Sequence, residues 1–256
     1  MKRLPIIFKK TKRAIHGLWL LKKCLKTFQP DTHFKGKRIA IVGPAGSAYN
    51  TGKGSYIDTF DYVIRINKAP HFLKEGKSRE DIGSKTDILF HSFFENDHSG
   101  GGTLDLDLYD RLGIKYIINP IPTYFGLRVI FNFYKKYLLS RTVYTLPTKP
   151  YKKLEGRLKP FQPTTGFCAL NAALQSDFAE LFITGFTFFK TSYIDGYRDQ
   201  MKESEKARKY ISEMRLHNPD LEFSEFKRLL NKNIHKTILL DETLQGIIRV
   251  EIDPWA

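Results

Sequence analysis

The chain has 256 residues, 41% of them hydrophobic and 14% aromatic, and carries a formal net charge of +15. That composition excludes a disordered tail, and the length allows one large domain or two small ones with a sizeable core. Cys24 and Cys168 are the only cysteines, too few for a disulfide framework, so a reducing cytosol is the simplest home.

The charge sits at one end. Residues 1–38 hold twelve Lys or Arg against a single acid, Asp31, so they carry +11 and leave only +4 to the remainder. A body so mildly basic does not read as a nucleic-acid binder. Within the basic arm, Ala14, Leu18, Leu21, Leu25 and Phe28 recur at spacings of three and four and predict one apolar helical face. Trp19 and Leu20 widen that face, while Lys22, Lys23 and Lys26 supply cations. No apolar run reaches the ~20 residues of a membrane span. The expectation is a helix lying in the surface of an anionic leaflet, which makes the protein cytoplasmic and peripheral on the inner face of the cell membrane. The alternative is a helix packed on its own domain with a solvated cationic side. A secretory signal is not expected, because lysines interrupt the apolar part and no small-residue cleavage site follows it. The chain therefore divides into a basic amphipathic segment, 1–30, and the main folded domain, 31–256.

Residues 29–37 read as a linker ending in a turn at Gly36, and 38–42 as a buried strand, apolar after Arg38. The Gly-, Ser- and Asn-rich stretch 43–55 reads as loop. Residues 61–67, 87–90 and 115–119 predict three more strands, and 127–139 a helix. Four prolines and many lysines make 146–163 a surface loop. Residues 167–177 predict a helix and 181–185 the next strand. Residues 203–215 predict a charged helix with Ala207, Ile211 and Met214 on one side, and 221–230 a further helix. Strands separated by helical stretches give an α/β protein with a mostly parallel sheet and helices on both faces.

Such sheets bind ligands beyond the C-terminal ends of their strands. Gly43, Gly46, Gly52 and Gly54 follow one of those ends. Glycine lets the backbone approach a ligand, and successive N–H groups can meet a phosphate. The spacing matches neither G-x-G-x-x-G nor a P-loop, because five residues separate Gly46 from Gly52-Lys53 and Gly54 stands where Ser or Thr is needed. A flexible surface loop is the alternative. In the strand that follows, Tyr62, Ile64 and Ile66 share one face and Val63, Arg65 and Asn67 the other. The Asn67 carboxamide can donate to and accept from a ribose or phosphate, or it merely starts the turn to Pro70. Arg65 is expected to pair with Asp58 or Asp61.

Pro163-Thr164-Thr165-Gly166 precedes an apolar run. A threonine there can cap a helix, whose first N–H groups attract an anion. Cys168, inside the run, reads as a small buried hydrophobe. His217 lies between helical stretches, where an imidazole can act as general base; a plain surface histidine is the alternative. Asp220 is the expected cap of the following helix. Glu222 can orient the histidine or assist the helix's first turn. The histidines show no compact ligand spacing, and His91 and His98 with Asp97 are the one imaginable metal set.

Four separated pieces together resemble the sialyltransferases, both the eukaryotic type and related bacterial transferases that use a CMP-activated acidic sugar. The large sialyl motif is similar to Ile41-Val42-Gly43 through Ser47, Gly54 to Asp58, Phe60-Asp61, Val63, Arg65, Asn67, Ala69-Pro70 and Asp81 through Thr86. The small motif resembles Pro163-Thr164-Thr165-Gly166 with Ala169-Leu170 and Gly185-Phe186, the third Ser192-Tyr193, and the last His217 with Glu222. The resemblance implies a single α/β/α sandwich with a Rossmann-like sheet, a GT-A variant. It implies that Asn67 contacts the nucleotide, that Thr164, Thr165 and Gly166 hold the cytidine, and that Tyr193 lies near the donor phosphate. His217 would be the base on the acceptor hydroxyl, and Glu222 would support its loop. Neither metal nor cofactor is implied; the donor is a CMP-sugar and CMP the product. The reaction implied is inverting transfer of sialic acid, a related nonulosonic acid or Kdo to a saccharide or lipid-linked saccharide, as in building a cell-surface glycolipid or lipopolysaccharide.

Three departures stand out, one of them that the third motif's usual histidine is not evident beside Ser192-Tyr193. Pro44 occupies the place of the family's loop Asn, and it has neither a side-chain amide nor an N–H. Ser47 or Asn50, with the backbone at Gly43, is the expected replacement. The first motif also lacks the cysteine that secreted animal members use to join their two large motifs. The competing readings are another α/β nucleotide enzyme, such as a phosphotransferase using ATP and Mg²⁺, and a non-enzymatic basic protein that binds membrane or nucleic acid.

Overall fold

The computed structural model describes residues 3–73, 78–96, 100–194, 197 and 215–252. Among these residues there are eight strands: β1 (Leu25–Thr27), β2 (Arg38–Val42), β3 (Tyr62–Ile66), β4 (Ile88–Phe90), β5 (Tyr116–Asn119), β6 (Val143–Thr145), β7 (Glu180–Thr184) and β8 (Thr237–Leu240). They make one sheet in the order β1-β6-β5-β4-β3-β2-β7-β8, and every pairing is parallel. Central strands such as β2 are covered on both faces, which is why Ile39 to Val42 are continuously apolar and buried.

Helices cover both faces. On one lie α1 (Arg3–Cys24), α3 (Gly54–Asp58), α4 (Arg79–Ile82), α5 (Leu106–Arg111) and α6 (Tyr124–Tyr137), whereas the short α2 (Pro30–His33), between Phe28 and Phe34, belongs to the other. Of these, α1, α5 and α6 pack around Leu89, Ile117 and Val143, while α3 and α4 pack on Ala40, Val42, Val63 and Phe182. On the other face, α7 (Thr148–Arg157), α8 (Thr165–Leu174), α9 (Pro219–Lys232) and α10 (Glu242–Ile252) pack on Ile39, Ile41, Ile64, Ile88, Ile118 and Ile183. The result is the expected α/β/α sandwich.

Several local readings need correction. The proline-rich stretch 146–163 is not a loop throughout, because α7 lies in it. Pro147 precedes its first residue and Pro150 falls in its first turn, where a missing N–H costs nothing. Tyr151 and Leu154 then bury themselves in the core. The linker 29–37 contains α2, and the loop 43–55 contains a 3₁₀ turn at Gly46–Ala48 and the start of α3. The charged helix expected at 203–215 lies outside the described residues except for Arg215.

The face of α1 also differs. Leu18 and Trp19 are 60% and 52% exposed, whereas Gly17, Leu20 and Cys24 are buried. The reason is a close helix contact: a Cβ on Gly17 would stand 3.0 Å from the Lys135 Cα on α6. Arg13 locks the same contact by donating to the carbonyls of Lys135 and Lys136 near the end of α6. Leu25 belongs to β1, which pairs with β6 at the sheet edge.

Arg65 forms no ion pair with Asp58 or Asp61. It is fully buried and donates to the Thr86 Oγ1 at 2.9 Å and to the carbonyls of Ile82, Gly83 and Lys85. Burial pushes its pKa down to about 10. Asp58 instead accepts from the N–H groups of Ser84 and Lys85, and Asp61 from that of Arg38. The buried guanidinium thus holds the 82–86 turn against β3.

β2 lies between β3, the next strand in the chain, and β7, which comes far later. The winding reverses there, and the strand ends leave a crevice.

Candidate active site

β2 and β7 end at the crevice in Gly43 and Gly185. Their backbones approach so closely that a Cβ on Gly43 would lie 2.2 Å from the Gly185 carbonyl oxygen. Gly185 also has φ +74, a left-handed conformation open to glycine. The loop after Gly43 is stitched to a later segment. Gly46 N–H donates to the Ser192 carbonyl at 3.0 Å, and Ile194 N–H to the Pro44 carbonyl at 3.2 Å. A bridge between Ala45 and Tyr193 completes the link and brings Tyr193 to the crevice.

The crevice encloses a cavity of about 430 Å³. Pro44, Ala45, Asn67, Thr164, Thr165, Gly166, Tyr193, His217 and Glu222 all line it. Residues from four distant parts of the sequence therefore share one site. Phe186, Phe189 and Phe125 add an aromatic wall.

Asn67 takes φ +53, a left-handed conformation that asparagine tolerates better than most residues. Its Oδ1 accepts from Ser92 N–H at 3.0 Å. Its Nδ2 donors have no protein acceptor among the described residues.

Thr164 is the N-cap of α8, with Oγ1 accepting from Phe167 N–H at 3.1 Å. The first-turn N–H groups of Thr165 and Gly166 have no acceptor within the helix, and both residues border the cavity. Thr164 also donates twice to Glu222, from its N–H at 2.6 Å and its Oγ1 at 2.9 Å. Burial raises the Glu222 pKa to about 8, against the pull of those bonds.

His217 is half-buried. Its Nδ1 lies 2.7 Å from the carbonyl of Gln162. A carbonyl can only accept, so Nδ1 carries a proton and donates it there. Gln162 N–H in turn donates to the Leu216 carbonyl at 2.8 Å, which fixes both strands of the loop. The imidazole is therefore oriented by a backbone carbonyl, while Glu222 holds Thr164. Asn218, not Asp220, caps α9, with its Oδ1 accepting from the N–H groups of Asp220 and Leu221.

Gly43, Ser47 and Asn50 are not among the residues lining the cavity. Ser47 donates to Asp241 at 3.2 Å, and Asp241 also accepts from Gly185 N–H at 2.8 Å. This pair braces the glycine crossing from below. Asn50, at φ +57, leads into a turn whose next N–H groups, at Thr51 and Gly52, donate to Asp81.

His91 is fully buried. Its Nδ1 accepts from Phe93 N–H and its Nε2 meets the Gly101 carbonyl, so the ring is neutral, with burial pushing its pKa down to about 4. Asp97 and His98 lie outside the described residues. Among the described residues, no group of three or more His, Cys, Asp or Glu is placed to hold a metal ion. Cys168 is buried and its thiol is pushed up by desolvation, as befits a core residue.

The family model for glycosyltransferase family 29 (sialyltransferase) matches residues 4–99. That match takes in the glycine loop and Asn67; Thr164 and His217 lie beyond it. No curated protein matches the chain. Among solved structures, a mammalian sialyltransferase is 19% identical, with 89% of this chain and 78% of that chain covered and a TM-score of 0.53. A mammalian sialyltransferase in complex with Gal-beta-1-3GalNAc-ortho-nitrophenol is 18% identical, covering 88% and 77%, with a TM-score of 0.51. CstII from Campylobacter jejuni, in complex with CMP-3FNeuAc, is 15% identical, covering 80% and 81%, with a TM-score of 0.48. The chain thus matches the sialyltransferase family model over its first part and shares its fold with these mammalian sialyltransferases over most of its length.

Proposed function

We propose that the protein transfers a sialic acid, with inversion, from a CMP-activated donor to a hydroxyl group of a saccharide. The observation that carries this reading is the Nδ1–H of His217 on the Gln162 carbonyl, in an imidazole that lines the same cavity as the start of α8. Nε2 takes the proton of the acceptor hydroxyl as that oxygen bonds to the anomeric carbon. The bond from that carbon to the CMP phosphate oxygen breaks on the opposite face, and CMP leaves with the electron pair. Its phosphate is a stable anion that needs donors. The N–H groups of Thr165 and Gly166, the Nδ2 of Asn67 and the hydroxyl of Tyr193 are the candidates. The cavity, at about 430 Å³, falls in the usual range for small-molecule sites.

The acceptor in this reading is a lipid-linked saccharide, and α1 keeps the enzyme near it. Phe8, Ile15, Leu18 and Trp19 are exposed on α1, with Lys22 and Lys23 beside them. That combination suits the surface of an anionic membrane. Among the described residues, no helix is long and apolar enough to cross a membrane.

The test is a donor screen with CMP-sialic acid, CMP-Kdo, UDP-sugars and ATP, following release of the nucleotide in the presence of a saccharide. CMP release from CMP-sialic acid supports the reading. ATP-driven phosphoryl transfer without CMP release would overturn it.

A further inference from the structure

A second cavity, of about 300 Å³, lies among α2, α7, α8 and α9 and shares no lining residue with the first. Asn171, on its wall, follows Thr165 by six residues on α8, about 9 Å along the helix axis.

The wall contains polar groups that the protein leaves unused. Asn171 is 6% exposed and Tyr151 2% exposed. Yet the Asn171 carboxamide and the Tyr151 hydroxyl form no hydrogen bond among the described residues. Buried polar groups are normally bonded. Neither side chain has a fully enclosed polar atom, so their polar ends open into the cavity that both residues line. Leu146, Leu154 and Ala172 supply an apolar floor.

The rim is cationic. Lys149, Lys153 and Arg157 follow one another at four-residue intervals on α7, so they form one row. Like charges at that spacing disfavour the helix when nothing lies between them. Lys149 and Lys153 have no acidic partner among the described residues. Arg157 lies 3.6 Å from Glu225, but Arg228 already engages that carboxylate with bonds of 2.6 and 2.7 Å. Asp31 is the remaining acid on the rim.

We propose that this cavity binds an acidic saccharide. The carboxamide and phenol would meet sugar hydroxyls, the apolar floor and Tyr151 ring a sugar's C–H face, and the α7 row its carboxylate. The site then holds an acid-bearing part of an acceptor or product chain away from the reacting end. Binding follows from the pocket alone; its use for a glycan chain rests on the transferase reading.

The probe is 3′-sialyllactose, titrated into the full chain with CMP saturating the first cavity, with lactose and inorganic phosphate as controls. Sialyllactose should bind, and lactose and phosphate should each bind about tenfold more weakly or less. Lys149→Ala with Lys153→Ala should weaken sialyllactose about tenfold while leaving CMP affinity and the melting temperature unchanged. Asn171→Leu should do the same. Competition by CMP, equal affinity in the lysine variant, no binding, or phosphate binding as tightly as sialyllactose would each overturn the proposal. Retained sialyllactose binding without any CMP release from CMP-sialic acid would sink the transferase reading and leave the site standing.

Discussion

Thr164 and Glu222, 58 positions apart, are joined by two hydrogen bonds, at 2.6 and 2.9 Å. The pair ties the start of α8 to the start of α9. His217 sits just before α9, so the same tie sets the imidazole opposite the helix N-terminus that would hold the nucleotide. A buried carboxyl placed here also makes stability depend on pH.

The unfolded chain ionises Glu222 near 4.5, and the folded chain holds its proton up to about 8. Folded protein therefore binds more protons between those values. Glu222's contribution is complete below the lower pKa and is lost as pH rises through the upper one. Glu222→Gln keeps an acceptor for Thr164 N–H and adds no charge. Urea midpoints of wild type should fall from about pH 5 to about pH 9, and those of the variant should fall less. Identical pH slopes would contradict this origin.

Arg65 satisfies three carbonyls and a hydroxyl in the 82–86 turn. Arg65→Met should lower the unfolding free energy by about 3 kcal/mol, because those acceptors remain buried without a donor. Lysine should not restore the loss, since it replaces a planar fan of donors with a single point. Chemical denaturation of both variants measures it; full stability in Arg65→Lys would show that charge alone matters.

A Cβ on Gly43 would collide with the Gly185 carbonyl at 2.2 Å. Gly43→Ala should spread the ends of β2 and β7, lower the melting temperature and weaken CMP binding. Gly156, on α7, meets nothing within 4 Å. Gly156→Ala should instead stabilise by up to about 1 kcal/mol. Equal responses in the two variants would remove the steric explanation.

Leu18 and Trp19 face outward on α1. Changing both to Glu should reduce co-sedimentation with anionic liposomes and leave turnover on a soluble acceptor unchanged. Unaltered sedimentation would leave α1 as a packing element only.

The strands around the crevice were legible because buried parallel strands are apolar throughout and end in glycine, as β2 and β7 do. The Thr164 cap and the meeting of Asn67, Thr164 to Gly166, Tyr193 and His217 in one cavity followed from motif order. What escaped has physical causes. Prolines that start α7 look the same in sequence as prolines that break a helix. β1 and β6 have three residues each, and β8 alternates exposed and half-buried positions at the sheet's edge. On α1, the buried face is chosen by a glycine, which leaves no hydrophobic signal. The group that orients His217 is a backbone carbonyl, which no side chain at Gln162 announces. Asp241, which braces Ser47 and Gly185, could have been found as an acid directly after a strand.

The central claim is that the His217 imidazole removes the acceptor's proton and contributes little to holding the nucleotide. The most direct measurement compares His217→Ala with wild type in two readouts, CMP release from CMP-sialic acid with a saccharide acceptor and equilibrium affinity for CMP. Release should fall by about 100- to 10,000-fold, with CMP affinity changed less than about twofold. Retained release, or a parallel collapse of CMP affinity, would contradict the account.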